Sequence, residues 1–189
     1  MITYEWDHND LAYVEKKLGS MKGEARKVLR DAVNKTAVSA RKRLLQVAQE
    51  RYTVKASGFN SRAVIEKGTV ANPTATIKVK GRTLTMPRYR ITRPKSGVKA
   101  EIHKGGGLKT VVGPQRIKAF ISSATGSTLV FQRTGKDRYP IKALRSPSVP
   151  KQIEMVYDGK KITSTPLKKE IQQLYQKYLD QQIERVLNK

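Results

Sequence analysis

A chain of 189 residues has room for one ordinary domain with a real core and little more. Its formal net charge of +24, from 39 Lys+Arg against 15 Asp+Glu, goes far beyond what solubility asks of a small domain, so an anionic or acidic neighbour is expected beside it. Zero cysteines exclude a disulfide framework and thiolate chemistry, and the lone histidines His8 and His103 have no zinc-ligand spacing.

Taken from the start, Ile2, Tyr4 and Trp6 alternate as in a strand. Asn9 or Asp10 can then cap a short helix carrying Leu11, Val14 and Leu18, which Gly19-Ser20 ends. Acids stand here where a signal peptide carries bases, and no apolar run approaches the ~20 residues of a membrane span, so synthesis in the cytoplasm and no membrane partner are expected. From Lys22 to Tyr52 the apolar residues Ala25, Val28, Leu29, Ala32, Val33, Ala37, Ala40, Leu44, Leu45 and Ala48 recur at spacings of three and four, with no proline and, past Gly23, no glycine. That predicts one long amphipathic helix. Its stripe is small at Ala32, Ala37 and Ala40, which allows a close neighbour.

After Ser57-Gly58 the period becomes two. Ala63–Ile65, Ala75–Lys80, Tyr89–Ile91 and Val98–Ile102 read as strands. Residues 103–128, with Gly105-Gly106-Gly107, Gly113-Pro114 and a run of serines, read as a long mobile loop. A hairpin follows: a strand from Leu129 to Phe131, a turn at Thr134-Gly135-Lys136-Asp137 closed by a positive φ at Gly135, and a return through Tyr139 to Leu144. Phe131, Tyr139, Ile141 and Leu144 are expected to build core. Ser146-Pro147-Ser148 is expected to stop the strand before a short helix near Val149–Val156, and a C-terminal helix is expected over residues 166–187. The fold class is thus α+β: a long N-terminal helix on a mostly antiparallel sheet, with a long loop and a C-terminal helix. The organisation read is one domain over 1–189, with 1–20 as an N-terminal segment.

The charge is not evenly spread. Residues 51–153 hold 22 bases against Glu66, Glu101 and Asp137, net +19, whereas residues 1–50 are net +3 and residues 154–189 net +2. Two partners fit such a cationic body: the phosphate backbone of duplex DNA, or acidic protein surfaces stacked against it. Candidate contacts are Lys78, Lys80, Arg82, Arg88, Arg90 and Arg93 from the sheet and Lys104 and Lys109 from the loop. Catalysis finds no support. There is no shared carboxylate motif, no phosphate-binding loop, no Gly-x-Ser-x-Gly elbow and no metal-ligand cluster, so no catalytic, cofactor-binding or metal residue is assigned and no cofactor is expected. No recognition-helix or zinc-finger pattern is present either.

The run Phe131-Gln132-Arg133-Thr134-Gly135, then Tyr139-Pro140-Ile141 with Leu144, then Pro147-Ser148-Val149-Pro150, resembles the C-terminal signature of the minor tail protein Z family of tailed phages and prophages. Ala32-Val33-Asn34-Lys35-Thr36-Ala37 with Arg41 and Leu44 is similar to that family's opening helix. Ser146 departs from the pattern, standing where the family has glycine. The resemblance implies a virion structural protein, not an enzyme, acting in tail completion or head-tail joining. It would form a homo-oligomeric ring, with six-fold symmetry expected, at the head-proximal end of the tail tube. Its implied partners are neighbouring tail-tube and connector proteins and packaged double-stranded DNA passing through the lumen. The competing reading is a stand-alone non-specific DNA-binding protein.

Overall fold

The computed structural model describes residues 2–4, 8–54, 59, 62–113, 116–123, 126–159 and 167–188. The expectations at Trp6, at Ser57-Gly58 and at residue 166, the expected start of the C-terminal helix, lie outside the described residues. The architecture is α+β, with antiparallel sheets throughout. The chain divides into two compact units: Met1–Gln46 with Ser61–Lys80 and Ile153–Lys189, and Val47–Asn60 with Gly81–Gln152.

In the first unit, α1 (His8–Leu18) ends where Gly19 takes a φ of +55°, a conformation that glycine reaches without steric cost. A 3-10 helix, Gly19–Glu24, leads into α2 (Ala25–Arg51). The expected small-residue stripe is fully buried at Ala32, Ala37 and Ala40, and Thr36 hides its hydroxyl by donating to the Ala32 carbonyl at 2.8 Å. Helix α4 (Leu167–Leu187) packs Leu179 and Ile183 against Val14, Leu18, Val28, Leu29 and Ala32. Polar bonds frame this cluster: the Tyr13 hydroxyl donates to Asp180 at 3.1 Å, and that of Tyr175 donates to Asp10 at 3.0 Å.

The sheet of this unit runs β1 (Ile2–Tyr4), β3 (Ala75–Val79), β2 (Ala63–Glu66). Its register pairs Ala63 with Val79 and Ile65 with Ile77, so Ala63, Ala75 and Ile77 share the buried face while Val64 and Lys78 share the outer one. Two side chains of α2 hold the β2–β3 hairpin. The Arg41 Nε donates to the Ala63 carbonyl at 2.7 Å. The Asn34 amide grips the Gly68 backbone from both sides, accepting its N–H at 2.8 Å and donating to its carbonyl at 3.1 Å. Gly68 has no room for more, since a Cβ there would stand 2.8 Å from the Thr74 backbone nitrogen.

The second unit is built of short strands around Met86, Val98, Ala100, Ala119 and Val130. One sheet runs β5 (Arg90–Thr92), β6 (Lys99–Glu101), β7 (Lys109–Thr110). A second runs β10 (Ile141–Ala143), β9 (Leu129–Arg133), β8 (Phe120–Ser122), and β4 (Thr83–Thr85) pairs with β11 (Arg145–Ser148). The stretch read as a long loop carries β7 and β8 and is stitched by backbone bonds, from Val111 N–H to Val98 at 2.8 Å and from Ala119 N–H to Val111 at 3.0 Å. Gly113 lies flat against the amide of buried Gln132, which donates to the Ile117 carbonyl; a Cβ on Gly113 would sit 2.2 Å from that amide.

Three hairpin expectations need correction. The turn is longer than read, spanning Thr134 to Pro140 with a cis Tyr139–Pro140 bond, and Gly135 is not in the positive-φ region. Tyr139 and Ile141 are 66% and 37% exposed, because strand β10 lies at a sheet edge; they do not build core, whereas Phe131 is buried and Leu144 packs on the cluster. Ser146-Pro147-Ser148 does not end a strand but forms β11, which tolerates Pro147 because its register with β4 is interrupted there. The expected short helix follows as α3 (Val149–Asp158).

Ser146 is buried in a directed chain of hydrogen bonds. The Gln152 amide donates to the Tyr89 hydroxyl at 2.5 Å and to the Pro147 carbonyl at 2.8 Å. The Ser146 hydroxyl donates to a backbone carbonyl, Pro147 at 3.1 Å or Leu84 at 3.3 Å, so the 2.6 Å bond between the two hydroxyls is donated by Tyr89. A glycine at 146 could take no part.

Two stability measurements test these anchors. Asn34→Ala leaves both peptide groups of Gly68 without their partner, and is expected to cost about 1–3 kcal/mol in a urea titration; an unchanged midpoint would show that the clamp contributes nothing. Tyr89→Phe breaks the buried chain at its centre and is expected to cost a similar amount, about 1–3 kcal/mol. Burial also pushes the Tyr89 hydroxyl, like that of Tyr52, above its ordinary range. The unfolded chain therefore ionises first, and stability falls as pH rises past the ordinary tyrosine value of about 10. Tyr89→Phe should flatten part of that alkaline loss, and an identical pH profile would contradict the assignment.

Candidate interaction surface

The two units differ in how their charge is answered. The second holds 18 Lys+Arg against Glu50, Glu101 and Asp137, net +15; the first holds 21 against 12, net +9. In the first unit Lys27 meets Glu24 at 3.1 Å, Arg30 meets Asp31 at 2.6 Å, Arg43 meets Glu170 at 2.8 Å and Lys78 meets Glu66 at 2.6 Å. In the second, Arg90 meets Glu101 at 3.1 Å.

Glu101 is itself buried, 8% exposed at its side chain, and its other oxygen accepts the Gly105 N–H at 3.1 Å. A buried carboxylate must be bonded to be tolerated, and this one is spent on Arg90 and on fixing the turn after β6. Nearby, Thr53 donates its hydroxyl to the Glu101 carbonyl and accepts the Arg90 N–H at 3.3 Å, while its own N–H reaches Ile102 at 3.0 Å. The Tyr52 ring lies 4.9 Å from that of His103. Burial and the positive charge of Lys109 lower the His103 pKa, which keeps its imidazole neutral near pH 7.

The eight bases expected from the sequence divide between the two units. Lys78 and Lys80 belong to the first unit, and Lys78 is answered by Glu66. Arg82, Arg88, Arg90, Arg93, Lys104 and Lys109 belong to the second and are exposed. Register places Arg90, Thr92 and Lys99 on one face of their sheet, opposite Ile91 and Ala100, which face the apolar cluster.

The hairpin's own bases, Arg133, Lys136, Arg138 and Lys142, which the sequence sets against the single acid Asp137, stand around the β9–β10 turn. All four are exposed. Arg133 lies 5.7 Å over the Phe120 ring, whose neighbour Phe131 is 6.1 Å away, and Arg138 lies 5.8 Å over Tyr139.

Among the described residues no group of three or more His, Cys, Asp or Glu side chains could hold a metal ion. Among them, too, no helix is long and apolar enough to cross a membrane. What the described residues present is a set of exposed bases and, at β10, a strand edge with no neighbouring strand among them.

Comparison with known proteins agrees with a structural role. No curated protein and no solved structure gives a significant match. The family described as prophage minor tail protein Z matches residues 14–189, which takes in both units, and the chain belongs to that family of phage tail structural proteins.

Proposed function

We propose that this protein is a tail-completion or head-tail connector subunit, forming a homo-oligomeric ring at the head-proximal end of the tail tube. It acts through contact rather than catalysis. The observation that carries this reading is the second unit's net charge of +15 on a surface where the one buried acid is already committed to Arg90 and Gly105. Such a surface gains free energy when it meets anions, whether the phosphates of DNA passing through a lumen or acidic faces of adjoining tail proteins. Family membership supplies the setting, a phage tail.

The same exposed bases favour one other reading, a protein that coats duplex DNA on its own without sequence preference. The two differ in what assembles without DNA. Light scattering on the purified protein, at low and high salt and with and without short duplex DNA, is expected to show a ring-sized species that needs no DNA. Assembly only on DNA, with affinity falling steeply as salt rises, would replace the connector reading with the DNA-coating one.

A further inference from the structure

Strand β10 ends its sheet, with β9 on one side and no strand on the other among the described residues. Its backbone bonds show which groups point outward. Thr134 N–H reaches the Pro140 carbonyl at 3.2 Å and Leu144 N–H reaches the Val130 carbonyl at 2.8 Å, and Lys142 stands opposite Gln132 midway between them. In an antiparallel ladder such pairs alternate with pairs whose N–H and C=O groups face away. Ile141 and Ala143 therefore turn their backbone donors and acceptors to the open edge.

The side chains along that edge are equally open. Tyr139 is 66% exposed and Ile141 37%, and alternation puts both on one face, with Lys142 on the other. Around them stand Arg133, Lys136, Arg138 and Lys142, none ion-paired among the described residues, with Asp137 the single acid between Gln132 and Arg145. Natural edges are guarded by charge or proline, and Lys142 and Pro140 do this against indiscriminate pairing. They do not block a strand that brings the opposite charge.

We propose that the outer edge of β10 is a docking site for an extended acidic segment of another protein, added to the sheet as a fourth strand. Backbone bonds to Ile141 and Ala143 supply the attachment, and alternating side chains supply the selectivity: apolar residues against Tyr139 and Ile141, carboxylates toward Lys142. A second copy of this chain is the wrong occupant. It would set Arg133, Arg138 and Lys142 against the same cations. This docking goes beyond the connector reading and does not depend on ring formation.

The test is calorimetric titration of the full chain with a short synthetic peptide alternating valine and glutamate. In parallel runs the same peptide with alternate backbone nitrogens methylated, equal in charge but unable to form the ladder. The unmodified peptide is expected to bind about tenfold or more tightly than the methylated one. Ala143→Pro removes an outward N–H and leaves the ladder to β9 intact, so it should weaken the unmodified peptide by about fivefold to tenfold. Ile141→Lys, which removes the apolar contact, should weaken it as well. If Ala143→Pro fails to fold, the two peptides with the unaltered protein still decide. Equal binding of the two peptides would reduce the effect to bulk charge and overturn the proposal. Failure of the unmodified peptide to bind would overturn it too, as would a dimer of the protein alone that Ile141→Lys dissolves.

Discussion

Like charges held on one small folded body repel, and the second unit carries that repulsion to net +15. Its acids are too few to balance it, three against 18 bases. Glu101 is buried and committed to Arg90 and Gly105, which leaves Asp137 and Glu50 against the remaining bases. The unit is instead held by means that charge does not reach: the Met86, Val98, Ala100, Ala119 and Val130 cluster, the Gln152–Tyr89–Ser146 hydrogen-bond chain, and the Gly113–Gln132 contact.

The first unit follows a different logic. Its bases are met by acids at Glu24, Asp31, Glu66 and Glu170, and its core is made by three helices and a small-residue sheet face. Exposed pairs of this kind add little stability each. Their effect is to lower the outward field of that unit, so the larger net charge stands on the other.

How much of this could be read in the sequence depended on element length. Helices α2 and α4 are long enough for the three-and-four spacing to be unmistakable, and β2 and β3 for the alternation of buried Ala63, Ala75 and Ile77. Strands of two or three residues, such as β7 and β8, show no period at all, and glycine and proline around them read as loop. Tyr139 and Ile141 look like core because apolar strand residues usually are; only the sheet order reveals that β10 is an edge. Pro147 reads as a terminator until the irregular β4–β11 register shows where its missing N–H is harmless. For the candidate surface, the concentration of charge in residues 51–153 was legible, and the division of that stretch between two units was not: six bases were chosen from the sheet and two from the loop, and Lys78 and Lys80 lie in the first unit.

The central claim is that the second unit's bases make the contacts by which this tail protein works. It is tested most directly by genetic complementation of a phage lacking the protein, comparing the natural chain with one in which Arg82, Arg88, Arg93, Lys136, Arg138 and Lys142 are replaced by glutamine. The replaced chain should fold, as judged by its melting curve, yet leave heads and tails unjoined in electron micrographs where the natural chain restores whole particles. Whole particles in equal number from both chains would contradict the account.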